Sequence, residues 1–304
     1  MAAARRTVRG AGYHPTPGAT TGERSCTRAV RVHNPRDAPV THLGTRIAMD
    51  LSAAQMALLC AAALCGGTVD AISGGGGLIT VPVLLAVGLP PHLALGTNKG
   101  QSTFGSFAAI VRYRHAGLID WKTARISFPL GIVGSVAGAA LALTLPREVL
   151  SPIVIALLLV VAGLVASGRL RPREGSVPPV GRRAGIIVAL LALTLGAYDG
   201  FFGPGTGTFI IAGYAALVHM PLPRATAEAK VLNFASNFAA MVMFARHGEV
   251  LWAVALPMAA AQLFGGFLGA HLAVRRGDRL IRTMVFVVAL AVVVWVLKDV
   301  YWKH

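Results

Sequence analysis

The sequence is divided into long apolar stretches that short polar segments separate. The stretches cover, to within a few residues, 52–72, 78–88, 93–111, 121–145, 148–166, 184–200, 207–218, 224–245, 250–274 and 283–298. Several reach the roughly 20 residues that an α-helix needs to cross a bilayer core. Helices can span a membrane because they satisfy their own backbone hydrogen bonds. The pattern therefore predicts an all-α, polytopic membrane protein of about 8–10 transmembrane helical segments.

The composition supports this class and argues against a nucleic-acid-binding protein. Charged residues make up 13% of the 304 residues, whereas soluble domains carry about a quarter. The formal net charge is +16, but the basic residues occur in short runs between apolar stretches. Such runs are typical of cytoplasmic loops in membrane proteins. We therefore expect the lipid bilayer as a partner, and no nucleic acid.

Four regions follow from the changes in composition. Residues 1–48 are rich in arginine and contain no apolar run, so we expect a disordered extension. Met49 directly precedes the first apolar stretch, and one hypothesis is that it is the native start. Residues 49–166 form a first membrane repeat, 167–183 a cytoplasmic basic loop, and 184–304 a second membrane repeat.

Two of the stretches, 78–88 and 207–218, are too short to span a bilayer, and each follows a glycine-rich break. Short, Gly/Pro-interrupted segments at matching places in two halves indicate the binding site of a transporter. The halves match at an offset of 129 residues up to the breaks and of 131 after them. The matched pairs are Asp70 with Asp199, Gly74 with Gly203, Lys99 with Lys230, Gly117 with Gly248, Trp121 with Trp252, Gly134 with Gly265 and Gly138 with Gly269.

The basic loops predict how the two halves are oriented. If all ten stretches cross the membrane, most arginine and lysine residues between them fall on one side, which the positive-inside rule makes cytoplasmic. Five crossings per half then make the repeat an inverted one. If the short segments re-enter instead, the repeat is parallel. We favour the inverted arrangement.

Two lysines at matched positions are the strongest candidates for a binding site. A charged group inside a bilayer costs several kcal/mol unless it is satisfied, so Lys99 and Lys230 are functional candidates. A lysine is a compact positive charge that suits an anionic group. We expect a helix to begin at the polar run 96–99. Helix N-termini beside the glycine breaks would add backbone N–H donors. The other candidate substrate-binding residues are Thr97, Asn98, Ser102, Asn233, Asn237, Gly75, Gly76 and Gly205.

The acidic residues near these lysines have several interpretations. Asp70 and Asp199 each lie four residues before a glycine break. They can cap the next helix, balance a lysine or bind a coupling proton. Glu228 lies two residues before Lys230 and is a further candidate for coupling or charge balance. The lysines themselves can alternatively extend to lipid headgroups or serve structural ion pairs.

No enzyme, cofactor or metal site is predicted. The sequence contains no catalytic motif in a context that would use it. Its three cysteines have no zinc-ligand spacing. We therefore expect neither catalytic residues, nor metal ligands, nor a cofactor.

The chain resembles the TauE/SafE sulfite exporter family, also called the toluene-sulfonate uptake permeases. The segments that carry the resemblance are Asp70–Pro82, Leu95–Lys99, Tyr198–Gly207 and Ala225–Asn233, and the likeness extends over about residues 52–298. The family is implicated in moving sulfite, sulfoacetate, sulfonates and other small organic anions across the bacterial inner membrane. The resemblance thus implies a multi-pass inner-membrane secondary transporter of a small anion. An anion channel and a non-transporting membrane subunit remain alternatives, and a homo-oligomer is left open.

Overall fold

The computed structural model describes residues 51–166 and 181–302. The predicted extension at 1–48 and most of the predicted basic loop at 167–183 lie outside the described residues. All regular elements in the described part of the chain are α-helices. In chain order they are α1 (Ala53–Ser73), α2 (Gly77–Ala86), α3 (Pro91–His115), α4 (Trp121–Thr144), α5 (Arg147–Ala166), α6 (Arg182–Phe201), α7 (Thr206–Leu217), α8 (Leu222–Arg246) and α9 (Trp252–Trp302).

The helices confirm the predicted all-α fold of a polytopic membrane protein. Each apolar stretch forms a helix, and the last two stretches join in α9, which is interrupted at Gly277 by a non-helical backbone conformation. Helices α1, α4, α6 and the Trp252–Gly277 part of α9 are long and apolar enough to cross a membrane. The two stretches after the glycine breaks form the short helices α2 and α7.

Local sequence explains where several helices begin. Ser52 and Gln55 form a reciprocal capping box at the start of α1. The Asp120 side chain accepts a hydrogen bond from the Lys122 N–H at the start of α4. Proline residues stand at the first turns of α3 and α8, where a missing N–H is tolerated.

One prediction about a helix start is wrong. The sequence suggested that the lysine helix begins at the polar run 96–99, but α3 begins at Pro91. The ring of Pro91 fixes a helical φ, so the helix begins there, before the polar run. Lys99 therefore lies well inside α3, and Lys230 lies equally far inside α8, which begins at Leu222.

Glycines bring pairs of helices into backbone contact. A Cβ atom on Gly134 or Gly138 of α4 would overlap carbonyl oxygens of α6, and one on Gly265 or Gly269 of α9 would overlap carbonyl oxygens of α1. These small-xxx-small pairs pack helices as predicted. Each contact joins a helix of the first half to a helix of the second, so the halves interlock. Their relation as an inverted repeat stays a prediction.

Candidate functional site

The two glycine breaks meet inside the protein. Gly74 follows α1 with a left-handed φ of 79°, and a Cβ there would overlap the backbone of Gly207 and Thr208 at the start of α7. The Thr208 hydroxyl donates a hydrogen bond of 2.8 Å to the carbonyl oxygen of Ser73. Glycine is required at this contact because it combines a left-handed backbone with close approach of a second chain segment.

Lys99 is held beside this contact by residues of the other half. Its side chain is 0% exposed. The Nζ atom lies 2.9 Å from Asp199 Oδ1 and 3.0 Å from Asn237 Oδ1. Gly203, at the second break, lies so close that a Cβ would be 2.6 Å from Lys99 Nζ. The break at Gly203 therefore makes room for the lysine head group.

Lys230 has the reciprocal arrangement. It is also 0% exposed, and its Nζ atom lies 2.9 Å from Asp70 Oδ2 and 3.2 Å from Asn233 Oδ1. Asp70 additionally accepts a hydrogen bond of 3.4 Å from the Gly76 N–H next to α2. Each lysine thus pairs with the aspartate that precedes the glycine break of the opposite half.

The ion pairs favour charge balance as the role of the aspartates in this conformation. Two lysines and two aspartates sum to zero charge, which is how ionisable groups persist at membrane depth. Neither lysine reaches toward a headgroup, because both are fully buried. Both members of a buried ion pair can form further hydrogen bonds. The lysine ammonium group can donate to a bound ion, and the aspartate carboxylate can accept from a bound donor.

Neutral polar side chains complete the surroundings of the lysines. Asn98 accepts from the Thr80 hydroxyl at 2.6 Å and from the Gln101 amide at 3.0 Å. The Ser102 hydroxyl accepts from the Gln262 amide at 3.3 Å, and the Ser236 hydroxyl donates to the second carboxylate oxygen of Asp199. Thr80 and Gln262 were not among the predicted residues. The only sequence signal for Thr80 is its polarity within the short apolar helix after the first break.

A small cavity lies between these groups. Its volume is about 20 Å³, which is close to the space one water molecule needs. The predicted residues that line it are Asn98, Lys99, Ser102, Asn233, Asn237, Asp70 and Asp199. The complete lining is Asp70, Gly74, Gly77, Asn98, Lys99, Ser102, Asp199, Gly203, Gly207, Asn233 and Asn237.

Some predicted residues are not part of the cavity wall: Gly75, Gly76, Gly205, Thr97 and Lys230. Lys230 contacts the wall through the residues that hold its head group. Gly75, Gly76 and Gly205 belong to the breaks but are not part of the cavity wall, where Gly74, Gly77, Gly203 and Gly207 stand instead. Lys230 is held by Asp70 and Asn233, which are both wall residues. The wall thus consists of polar side chains and glycine backbone, which together can surround a small polar ion.

Thr97 and Glu228 occupy matched positions and have matched contacts at helix starts. The Thr97 hydroxyl accepts a hydrogen bond of 3.1 Å from the Leu251 N–H just before α9. One Glu228 carboxylate oxygen accepts from the Asp120 N–H just before α4. Both side chains therefore satisfy backbone donors that a helix start leaves unpaired. Glu228 is not an ion-pair partner of Lys230.

The described histidine, cysteine, aspartate and glutamate side chains do not form a group of three or more that could hold a metal ion. The polar groups at the cavity are ammonium, carboxylate, amide and hydroxyl groups. Such a set binds a small polar or charged solute by hydrogen bonds and charge.

Residues 59–296 match the sequence profile of the family described as "Sulfite exporter TauE/SafE". "Probable membrane transporter protein ORF9" of Sinorhizobium sp is 38% identical over 251 residues, which are 82% of this chain and 95% of that protein. "Probable membrane transporter protein YfcA" of Escherichia coli (strain K12) is 36% identical over 228 residues, 75% of this chain and 84% of that protein.

A "Probable membrane transporter protein" of Haemophilus influenzae is 34% identical over 257 residues, 84% of this chain and 100% of that protein. No solved structure matches the chain. The profile match covers both glycine breaks and both lysines, and the helices are those of a multi-pass membrane protein. The chain belongs to the TauE/SafE family of membrane transporters.

Proposed function

We propose that the protein is a secondary transporter that moves a small anion, sulfite or an organosulfonate, across the bacterial inner membrane. The observation that carries the proposal is the pair of buried lysines beside one cavity, each held by an aspartate of the opposite half at 2.9 Å. The family description, which names sulfite, supports the substrate class.

The geometry suggests how an anion would bind. The oxygen atoms of a sulfite or sulfonate group are acceptors, as the aspartate carboxylates are, so they can take the place of Asp70 and Asp199 at the lysine head groups. The side-chain N–H groups of Asn233 and Asn237 can donate to the same ion after a rotation of each amide. The cavity has a volume of about 20 Å³, so binding requires the walls to move apart.

The glycine breaks offer a place for this movement. The contact between Gly74 and Gly207 joins the first glycine break to the start of α7 beside the cavity. Separation of these segments would widen the cavity and release the lysine–aspartate pairs together. Alternating access in many transporters is a movement of one repeat against the other around a fixed midplane site, and the reciprocal ion pairs connect the two halves at such a site.

Transport in liposomes tests the proposal. Purified protein is reconstituted, and uptake is measured for sulfite, thiosulfate, sulfoacetate, taurine and simple carboxylates. A secondary transporter gives saturable, concentrative flux. Passive flux that does not saturate would indicate an anion channel instead, and no flux of any anion would favour a non-transporting subunit.

The lysines are tested by their glutamine variants in the same assay. A charge-assisted hydrogen bond is worth roughly 1.5–3 kcal/mol, so Lys99→Gln and Lys230→Gln should each weaken apparent anion affinity by about tenfold to a hundredfold. Lys→Arg variants should also impair transport, because a planar guanidinium does not replace a compact ammonium. The double glutamine variant should not be additive if both lysines contact one ion. If both single glutamine variants insert correctly and keep normal anion affinity, the lysines have a structural role and do not bind the anion.

A further inference from the structure

Glu228 is a buried carboxyl group without a cationic partner. It is 0% exposed. One carboxylate oxygen accepts the Asp120 N–H, and the other, Oε2, has no hydrogen-bond partner among the described residues. The described ion pairs hold Asp70, Asp199 and Glu249 but not Glu228. Glu228 thus differs from the other buried carboxyl groups that the structure describes, which all have a lysine or arginine nearby.

The groups that face Glu228 do not compensate a negative charge. Asp120, just before α4, donates its N–H to one carboxylate oxygen, and Tyr214 of α7 is close enough to Ser127 and Glu228 to interact with both electrostatically. Both the Tyr214 and Ser127 hydroxyls are buried and lack partners in the described chain. On its own helix, Arg224 is exposed and Lys230 is held by Asp70. A carboxylate in such surroundings is strongly disfavoured, whereas a neutral carboxylic acid avoids the cost of a buried charge.

Capping a helix does not explain why a carboxyl group stands here. The matched position in the first half is Thr97, whose neutral hydroxyl accepts the equivalent backbone N–H of Leu251. Across the same offset, Ser127 corresponds to Met258, which is fully buried in an apolar cluster. Both halves contribute to each of these two matched clusters. One cluster contains an acidic group and buried hydroxyls, and the other has Thr97 and Met258 at the corresponding positions. The difference points to a task that only one of the two clusters performs.

The charges at the proposed anion site suggest that this task is to bind a proton when the anion binds. The two lysines and two aspartates are already neutral together, so an added anion leaves one negative charge uncompensated in a low-dielectric site. Glu228 lies two residues before Lys230 on α8, so the two side chains leave the helix on different sides and have different neighbours. Their charges therefore interact through the protein interior rather than by direct contact. A negative Glu228 repels an anion at Lys230, and a protonated Glu228 does not. By linkage, the anion and the proton then each favour binding of the other.

We infer that Glu228 is the site of a coupling proton that binds together with the anion and travels with it, so that the transporter is a proton–anion symporter. This inference rests on the proposed anion transport. Glu228 lies near the start of α8, beside the α3–α4 turn. Around this turn stand Arg112, Arg114 and Lys122, which the predicted topology places on the cytoplasmic side. The proton on Glu228 would therefore exchange with the cytoplasm.

Two transport measurements on the same proteoliposomes separate coupling from anion binding. The first is exchange of radiolabelled sulfite at equal concentration and equal pH on both sides. The second is accumulation of sulfite driven by a pH gradient, with leakage subtracted by protein-free vesicles. An electroneutral symport of one proton with one singly charged anion gives about tenfold accumulation for each pH unit. Lower pH should also strengthen sulfite binding in the unmodified protein.

Glu228→Gln is the informative variant because glutamine keeps the oxygen that accepts the Asp120 N–H but cannot exchange a proton. It should retain sulfite exchange, lose the gradient-driven accumulation, and lose the part of the pH dependence that Glu228 causes. Glu228→Thr, which copies the first half, should behave in the same way. Glu148→Gln, at an exposed position at the start of α5, should leave both measurements unchanged.

The remaining outcomes oppose the inference in distinguishable ways. If Glu228→Gln still accumulates sulfite along a pH gradient, Glu228 is not the proton site. If both variants lose exchange together with accumulation, Glu228 has only a structural role at the start of α4. If the unmodified protein exchanges sulfite but a pH gradient drives no accumulation, protons are not coupled at all. Absence of exchange in the unmodified protein would instead contradict sulfite as the substrate in the proposed function.

Discussion

At the scale of residues, the site contains buried charges that are stable only when each lysine is paired with an aspartate. A buried ion pair contributes little net stability, because desolvation of both groups offsets their attraction. Removal of one partner, however, leaves an uncompensated charge inside the protein. Lys99 with Asp199 and Lys230 with Asp70 are thus each stable together, and an arriving anion must replace a carboxylate rather than simply join it.

The first prediction concerns the stability of the Lys99–Asp199 pair. Lys99→Gln should destabilise the protein by roughly 3–5 kcal/mol, because Asp199 then stays buried without a cation. Lys99→Gln combined with Asp199→Asn should recover most of this loss, since two amides can hydrogen-bond without charge, yet it should not restore anion transport. Thermal unfolding in detergent, followed by size-exclusion chromatography, measures the stabilities.

Arg147→Gln provides the control for this prediction. Arg147 pairs with Glu249 at 3.5 Å, and its side chain is 36% exposed. Water reaches the arginine end of this pair and screens it, although Glu249 is only 10% exposed, so its loss should cost less than the loss of Lys99. Equal destabilisation by the single Lys99 variant and by the double variant would show that the Lys99 charge pair is not the source of the effect.

At the scale of helices and loops, glycine determines how closely the backbone segments approach. The contacts of α4 with α6 and of α9 with α1 leave no space for a side chain at Gly138 or Gly269. Close backbone approach lets helices associate inside a membrane, where lipid is as apolar as the helix surfaces. These two contacts hold the first half to the second and so hold the lysines beside their aspartates.

The second prediction tests these helix contacts. Gly138→Leu and Gly269→Leu should each destabilise the protein by about 1–3 kcal/mol or more, because the overpacked helices must separate. Gly163→Leu on α5 is the matched control, since within the described residues a Cβ there meets nothing outside its own stretch of helix within 4 Å. Heat resistance of the detergent-solubilised protein measures the effect. A Gly163 variant as unstable as the other two would contradict the packing explanation.

The third prediction separates backbone strain from contact at the glycine breaks. Gly74 and Gly117 both have positive φ, 79° and 68°, so an alanine at either position is strained by roughly 1–2 kcal/mol. Only at Gly74 does the new Cβ also meet the backbone of Gly207. Gly74→Ala should therefore abolish transport, whereas Gly117→Ala should leave transport intact with a small loss of stability. Equal transport by both variants would show that the contact between Gly74 and Gly207 is not needed for transport.

At the scale of the whole molecule, the two halves form one interlocked unit. The reciprocal ion pairs and the reciprocal glycine contacts each connect a residue of one half to the other. A movement that separates the breaks must therefore change both lysine sites together. Such coupling suits a transporter that exposes one site alternately to each side of the membrane.

The fourth prediction tests the inverted topology with two single cysteines. His115 and Arg246 are matched across the repeat and are exposed at the ends of α3 and α8. On a background without Cys26, Cys60 and Cys65, His115→Cys should be protected from a membrane-impermeant thiol reagent in intact cells, and Arg246→Cys should react. The positive-inside rule places the first on the cytoplasmic side and the second on the periplasmic side. Reaction of both from the same side would contradict the inverted arrangement.

The sequence by itself determined the class of protein and most of its helices. Hydropathy is a local property, so the ten apolar stretches predicted nearly all the helix positions. The short helices after the glycine breaks were predictable for the same reason. The start of α3 was predicted too late because the polar run at 96–99 was taken as the helix start, whereas the proline at position 91 begins the helix.

The tertiary structure decided which groups meet. Lys99 and Asp199 are 100 residues apart in the chain, and Lys230 and Asp70 are 160 apart. No local pattern specifies such pairings, so the sequence left several interpretations open. The lysines could bind substrate, extend to headgroups or form ion pairs, and the aspartates could cap a helix, balance a charge or bind a proton. The fold also placed Gly74, Gly77, Gly203 and Gly207 rather than Gly75, Gly76 and Gly205 at the cavity. It separated Glu228 from Lys230, because α8 directs these two side chains to different neighbours.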